Sequence, residues 1–226
     1  MVLLHLLLFI IGATAGTSHN SDFVRTFEQV DVPTRNNNAS FKTVCYYPMS
    51  VPLNLTVNAT LPYGLDAKLC SHIIFIPTKV DSHNRISPSD QTHVVMFQRA
   101  IPVLRQLNPN LTIMISNAGP FDSLMQSIQN ITEFVNSTVV FLRKYGFDGI
   151  DLDWEFPGWP VTEKPHGQIH NYSIVLTELR QAFEMEANQT KKSRLLLTAA
   201  VAATKEMAEV IYEFDYFKKM PTSTSH

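Results

Sequence analysis

The sequence has no excess of basic charge. Eighteen Lys and Arg stand against 20 Asp and Glu, for a net charge of −2. That excludes the positive field a nucleic-acid partner requires, and no long run of like charge supplies one locally. An apolar stretch of the roughly 20 residues that cross a bilayer is missing too. Cysteine is nearly absent: Cys45 and Cys70 allow one disulfide, the expected state in an oxidising compartment. No short-period repeat is visible. Charged residues make up 17% and hydrophobic residues 45%, the balance of a globular chain and not of a disordered one. The 226 residues suffice for one domain with a sizeable core.

What is present begins with a compartment signal. Val2 to Ile11 is mostly apolar and is followed by Ala13-Thr14-Ala15, a small-x-small cleavage pattern. The n-region lacks Lys and Arg and has only His5, but the length predicts a signal peptide over residues 1–15 and not a membrane anchor. Asn-x-Ser/Thr sequons occur at Asn38, Asn54, Asn58, Asn110, Asn130, Asn136, Asn171 and Asn188. More than half of the asparagines sit in one, which supports a secreted, extracellular glycoprotein. Residues 16–40 are polar and read as a leader without a core of its own.

From residue 41 short apolar runs alternate with helical patterns. Lys42–Tyr47, His72–Pro77, Leu111–Ser116, Gly149–Phe156 and Leu195–Ala202 are β-prone, and prolines are expected to end the first two. Between them, Asp90–Leu107 places Val94, Phe97, Ile101 and Leu104 on one helical face, with Pro102 predicting a kink or an early end. Ser137–Tyr145 reads as a helix closed by Gly146. Ile169–Asn188 aligns Ile169, Tyr172, Leu176, Leu179 and Phe183, and Lys205–Met220 begins another helical pattern. Apolar strands alternating with helices predict an α/β fold with a parallel sheet.

The fourth run holds the chemistry. In "FDGIDLDWEFPGW", Phe147 to Trp159, Asp151, Asp153 and Glu155 share one strand face and Ile150, Leu152 and Trp154 the other. The apolar face suits a helix layer. The acidic face suits the interior of a closed parallel barrel, with Glu155 last, at the C-terminal mouth. Asp148 has the opposite parity and is expected to cap the strand entry. Carboxylates two strand residues apart stand about 7 Å from one another. In a confined site like charge and burial favour the protonated form of one of them, as a general acid near neutral pH requires. Two plainer readings are weaker. Interleaved Leu152, Trp154 and Phe156 spoil a cation loop, so no metal site is predicted. Like charges side by side destabilise an ordinary exposed strand.

These residues resemble the signature of family 18 glycoside hydrolases, the chitinases and chitinase-like lectins. The pattern Asp-x-x-Asp-x-Asp-x-Glu is matched by Asp148, Asp151, Asp153 and Glu155, with Gly149 inside it, and "FLRKYGFDGIDLDWEFPG" is similar to the animal chitinase sequence along nearly its whole length. "VCYY", "LCSHIIF" and "LLLTAAV" resemble the family's first, second and fifth barrel strands, and the resemblance covers about Phe41 to Met220. It implies a (β/α)8 barrel and a Cys45–Cys70 pairing. It also implies a substrate-assisted retaining cleavage of β-1,4-linked N-acetylglucosamine polymers, without a cofactor. Glu155 would protonate the leaving oxygen. Asp153 would hold the acetamido group, and Asp151 would share a proton with Asp153. Tyr46 would line the same pocket, with Trp154 as the second expected sugar contact. Chitin or its oligosaccharides are the implied partners, with neither nucleic acid nor membrane.

The sequence also departs from the family. Ser116-Asn117-Ala118-Gly119-Pro120 stands where the family has Ser-x-Gly-Gly-Trp, and the aromatic expected near Pro77 is missing. Both changes predict weaker stacking on sugar rings. After Met220 the sequence reads "PTSTSH" (221–226) where a sixth strand is expected. The expectation is therefore a partial barrel of about five of the eight strand–helix units, truncated after the fifth strand and of low activity by itself. The alternatives are a secreted, non-catalytic chitin-binding lectin-like protein and an inactive fragment.

Overall fold

The computed structural model describes residues 42–49, 66–154, 157, 165–202, 204, 208–209 and 212–213. Six strands and three long helices are found among them. They are β1 (Val44–Pro48), β2 (His72–Val80), β3 (Ile86–Pro88), α1 (Gln91–Leu107), β4 (Thr112–Asn117), α2 (Ile128–Tyr145), β5 (Gly149–Leu152), α3 (Pro165–Thr190) and β6 (Leu196–Ala199). Five strands pair in parallel in the order β1-β2-β4-β5-β6, and β3 adds to β2 antiparallel. Parallel strands taken in sequence order, with α1, α2 and α3 connecting those from β2 to β6, form a partial (β/α)8 barrel.

Register divides the sheet into two faces. Phe75, Ile115, Ile150 and Leu197 are successive partners across β2, β4, β5 and β6. They join Phe97, Ile101, Leu104, Phe134, Leu142, Leu176, Leu179 and Phe183 of the helices in one core. Each fully buried Leu or Phe contributes about 2 kcal/mol. Tyr46, Ile74, Met114, Gly149 and Leu196 form the neighbouring row on the opposite face, in register.

Local signals account for the helix boundaries. Asp90 caps α1 by accepting from the Thr92 amide, and Ser127 caps α2 by accepting from the Asn130 amide. Gly146 closes α2 with φ 78°, a left-handed conformation that needs glycine. Cys45 and Cys70 are joined in a disulfide.

Several boundaries differ from expectation. β2 does not stop at Pro77 but runs on to Val80. Its pairing with β4 shifts register between Phe75 and Thr78, so the proline's missing N–H falls where the ladder is already irregular. β3 was not anticipated. It returns through a turn in which the Asp81 carboxylate accepts from the His83 and Arg85 amides, with Asn84 at φ 58°. α1 continues through Pro102 to Leu107, because Phe97, Ala100, Ile101 and Leu104 are buried on both sides of the proline and hold the helix in place. α2 starts nine residues before Ser137, with Ile131, Phe134 and Val135 continuing its buried face. β5 and β6 are shorter than their apolar runs. Within Lys205–Met220, only Ala208 and Glu209 are helical among the described residues. The leader, Asn38, Asn54, Asn58, Glu155 and residues 221–226 lie outside the described residues.

Candidate active site

Asp148 stands at the entry of β5 and ties three strands together. Its Oδ2 accepts from the Ile113 amide at 2.7 Å, and its own amide donates to the Ile113 carbonyl at 2.7 Å. Its carbonyl accepts from the Leu196 amide at 2.8 Å, and Oδ1 takes the Arg105 guanidinium at 2.8 Å. The first acid of the signature therefore fixes where β4, β5 and β6 begin. Gly149 follows because no side chain fits. A Cβ there would lie 2.3 Å from the Leu196 carbonyl oxygen.

Asp151 is the centre of the site. It is 1% exposed, on the face opposite the helices, and both carboxylate oxygens receive hydroxyl protons. Tyr46 Oη donates to Oδ2 at 3.1 Å from β1, and Thr198 Oγ1 donates to Oδ1 at 2.5 Å from β6. The site thus draws on strands at both ends of the sheet. Thr198 was missed in the sequence. It is the register partner of Asp151, and a lone hydroxyl in the apolar run Leu195–Ala202 was the available signal. Ser116, the partner of Asp151 on β4, is likewise buried, and its hydroxyl has no hydrogen-bond partner among the described residues.

Asp153 follows the end of β5, half-buried, with its amide donating to the Asn117 carbonyl at 2.9 Å. Asn117 is in turn held by its side chain, which donates to Thr78 Oγ1 at 3.1 Å, while Thr78 donates to the Ser116 carbonyl at 2.9 Å. This buried polar chain locks the C-terminal ends of β2 and β4 against Asp153.

Trp154 requires a correction. Expected to touch sugar, it lies on the helix side, stacked on Phe121 at 4.9 Å between ring centroids and meeting Tyr172 edge-on at 5.5 Å. The alternation that turns Asp151 inward turns Trp154 outward. Its carbonyl accepts from Tyr212 Oη at 3.3 Å. Burial, followed by the fields of Tyr212, Asp151 and Asp153, holds the Tyr172 phenol well above its ordinary range, so it stays protonated. Among the described residues, no three His, Cys, Asp or Glu side chains are grouped to hold a metal ion.

The sequence profile described as "Glycosyl hydrolases family 18" matches residues 42–221. The chain belongs to this family. Family 18 relatives include chitotriosidase-1 of Mus musculus, 32% identical over 183 residues, which covers 77% of this chain and 38% of that protein. Chitinase-3-like protein 2 of Homo sapiens is 30% identical over 187 residues, covering 80% and 46%. Among solved structures, human YKL-39, described as a pseudo-chitinase with retained chitooligosaccharide binding properties, superposes with a TM-score of 0.68 at 30% identity, covering 80% of this chain and 49% of that one. The chain spans less than half the length of these relatives. Family 18 thus includes both active chitinases and pseudo-chitinases near this sequence.

Proposed function

We infer that this family 18 chain belongs to a chitinase-like hydrolase that cleaves β-1,4-linked N-acetylglucosamine by a substrate-assisted retaining mechanism. The observation that carries the reading is the grip on Asp151, whose two oxygens are engaged by Tyr46 and Thr198. A buried carboxylate so fixed is a preorganised neighbour for Asp153, two residues on. In the proposed reaction Glu155 gives its proton to the glycosidic oxygen as the C1–O bond breaks. The substrate's acetamido oxygen forms the new bond to C1, giving an oxazolinium ion whose N–H is held by Asp153. Water then attacks C1, gives its proton to Glu155 and reopens the ring with overall retention. No cofactor enters the scheme.

The apolar N-terminus, the Cys45–Cys70 disulfide and the eight sequons support a secreted glycoprotein. The test is hydrolysis of chitotetraose followed by product analysis. Low release of β-anomeric products by the wild type, lost in Glu155→Gln with binding kept, is the expected result. A second reading, chitooligosaccharide binding without cleavage, is supported by the likeness to human YKL-39, described as a pseudo-chitinase that retains such binding, although Pro120 in place of the stacking Trp weighs against tight binding. Saturable binding with no turnover in the wild type would select it.

A further inference from the structure

Five of the eight sequons lie among the described residues, and the structure separates them into two kinds. Asn130 and Asn171 are half-buried, and in each the atom that would carry a glycan is already engaged. Asn130 Nδ2 donates to the Ser123 carbonyl at 2.6 Å, and Asn171 Nδ2 donates to the Met125 carbonyl at 2.8 Å. Both amides, one from α2 and one from α3, hold the same short segment between β4 and α2. That segment follows directly on Phe121, the ring stacked on Trp154. Each nitrogen has only one other N–H to give up, so a pyranose on it would sit directly against this segment.

Asn110, Asn136 and Asn188 are of the other kind, exposed in the turn before β4, on the outer face of α2 and in the last turn of α3. Two of them stand beside apolar side chains left in solvent. Val140, 66% exposed, is one turn from Asn136 on α2, and Met185, 57% exposed, is three residues before Asn188 on α3. Single exposed apolar residues are ordinary, but a glycan at these spacings would lie over them.

We propose that Asn110, Asn136 and Asn188 are the N-glycan sites of this region, and that Asn130 and Asn171 stay unmodified as clamps of the segment between β4 and α2. The step joins Nδ2 to the anomeric carbon of an oligosaccharide carried on a lipid diphosphate. The diphosphate leaves with the bonding electron pair, and the amide gives up one proton. Transfer acts on the emerging chain, so the structure selects which modified chains fold. The inference rests on the secretory reading given above.

The full chain should be expressed in secreting animal cells twice, once with its own first residues and once behind a heterologous leader. Secreted protein is deglycosylated enzymatically in heavy-oxygen water and mapped by mass spectrometry, which tags each formerly occupied asparagine. Tags at 110, 136 and 188 and none at 130 and 171 are expected. Tags at 130 or 171 in folded, secreted protein at a level matching the other three would overturn the assignment. Three bare outer sites behind the heterologous leader would overturn it as well. The expected pattern behind that leader, with no glycan on the chain bearing its own first residues, would uphold the assignment and sink the secretory reading. Thr132→Ala abolishes the Asn130 sequon but leaves its amide, and should change neither the glycan ladder nor the yield. Asn130→Asp removes the donor and should lower secreted yield several-fold; equal yields of these two variants would contradict the clamp.

Discussion

Gly149→Ala is the substitution whose consequence the geometry states most fully. The new Cβ would stand 2.3 Å from the Leu196 carbonyl oxygen, 2.7 Å from Leu196 Cβ and 2.8 Å from its carbonyl carbon, where ordinary contact begins at 3.4 Å. All three belong to β6, and two are backbone atoms with no rotamer to change. Relief requires β5 and β6 to part by about 1 Å, the shortfall between 2.3 and 3.4 Å. That movement stretches the Leu196 amide to Asp148 bond, now 2.8 Å, and the Ala200 amide to Leu152 bond, now 3.0 Å, past useful length. Two lost backbone bonds at about 1 kcal/mol each, with overpacking of about 1–3 kcal/mol, give a destabilisation of about 3–5 kcal/mol. The same displacement pulls Thr198 from Asp151. Urea denaturation followed by circular dichroism reads the first effect, as a lowered midpoint at unchanged slope. A variant within about 0.5 kcal/mol of wild type would refute the close approach of β6 to β5.

Other consequences follow from single contacts. Thr198→Val keeps the shape but removes the hydroxyl proton from a buried carboxylate oxygen; a loss of about 1–3 kcal/mol is expected in the same assay. Arg143 makes two bonds to Glu186 and one to the Ser193 carbonyl, joining α2, α3 and the approach to β6. Arg143→Ala should therefore cost about 1–2 kcal/mol at neutral pH, after allowing for solvent screening. The Arg143 hydrogen bond holds the Glu186 carboxyl below its ordinary value, so its stabilisation is complete above the unfolded-state value and is lost as pH falls through the lower folded one. Arg143→Ala should flatten that acid limb of a stability–pH curve, and an unchanged limb would contradict the assignment. Reducing Cys45–Cys70, whose partners are 25 residues apart, should cost about 3 kcal/mol by chain entropy, seen as a lower thermal midpoint in reductant.

The sheet was legible in the sequence because each strand is a short apolar run and burial on the helix side leaves a period-2 signature. Asp151 and Asp153 were legible for the same reason: acids at alternate positions declare a face. What the sequence hid depends on neighbours. Pro77 reads as a strand end unless the register shift beside it is known. Pro102 reads as a helix break unless the buried face on both sides is known. Thr198 is an unremarkable residue until β6 pairs with β5 and sets it against Asp151. Trp154 was assigned by residue type to the sugar, although its parity already pointed to the helices.

The central claim is that the acidic strand is the working element of a glycosidase, with Glu155 as its acid. Chitotetraose hydrolysis by wild type and Glu155→Gln, with binding measured in parallel by calorimetry, tests it most directly. The account predicts low turnover from the wild type that yields β-anomeric products, none from the variant, and binding of the sugar by both. Turnover that survives Glu155→Gln, or a wild type that neither binds nor cleaves, would contradict it.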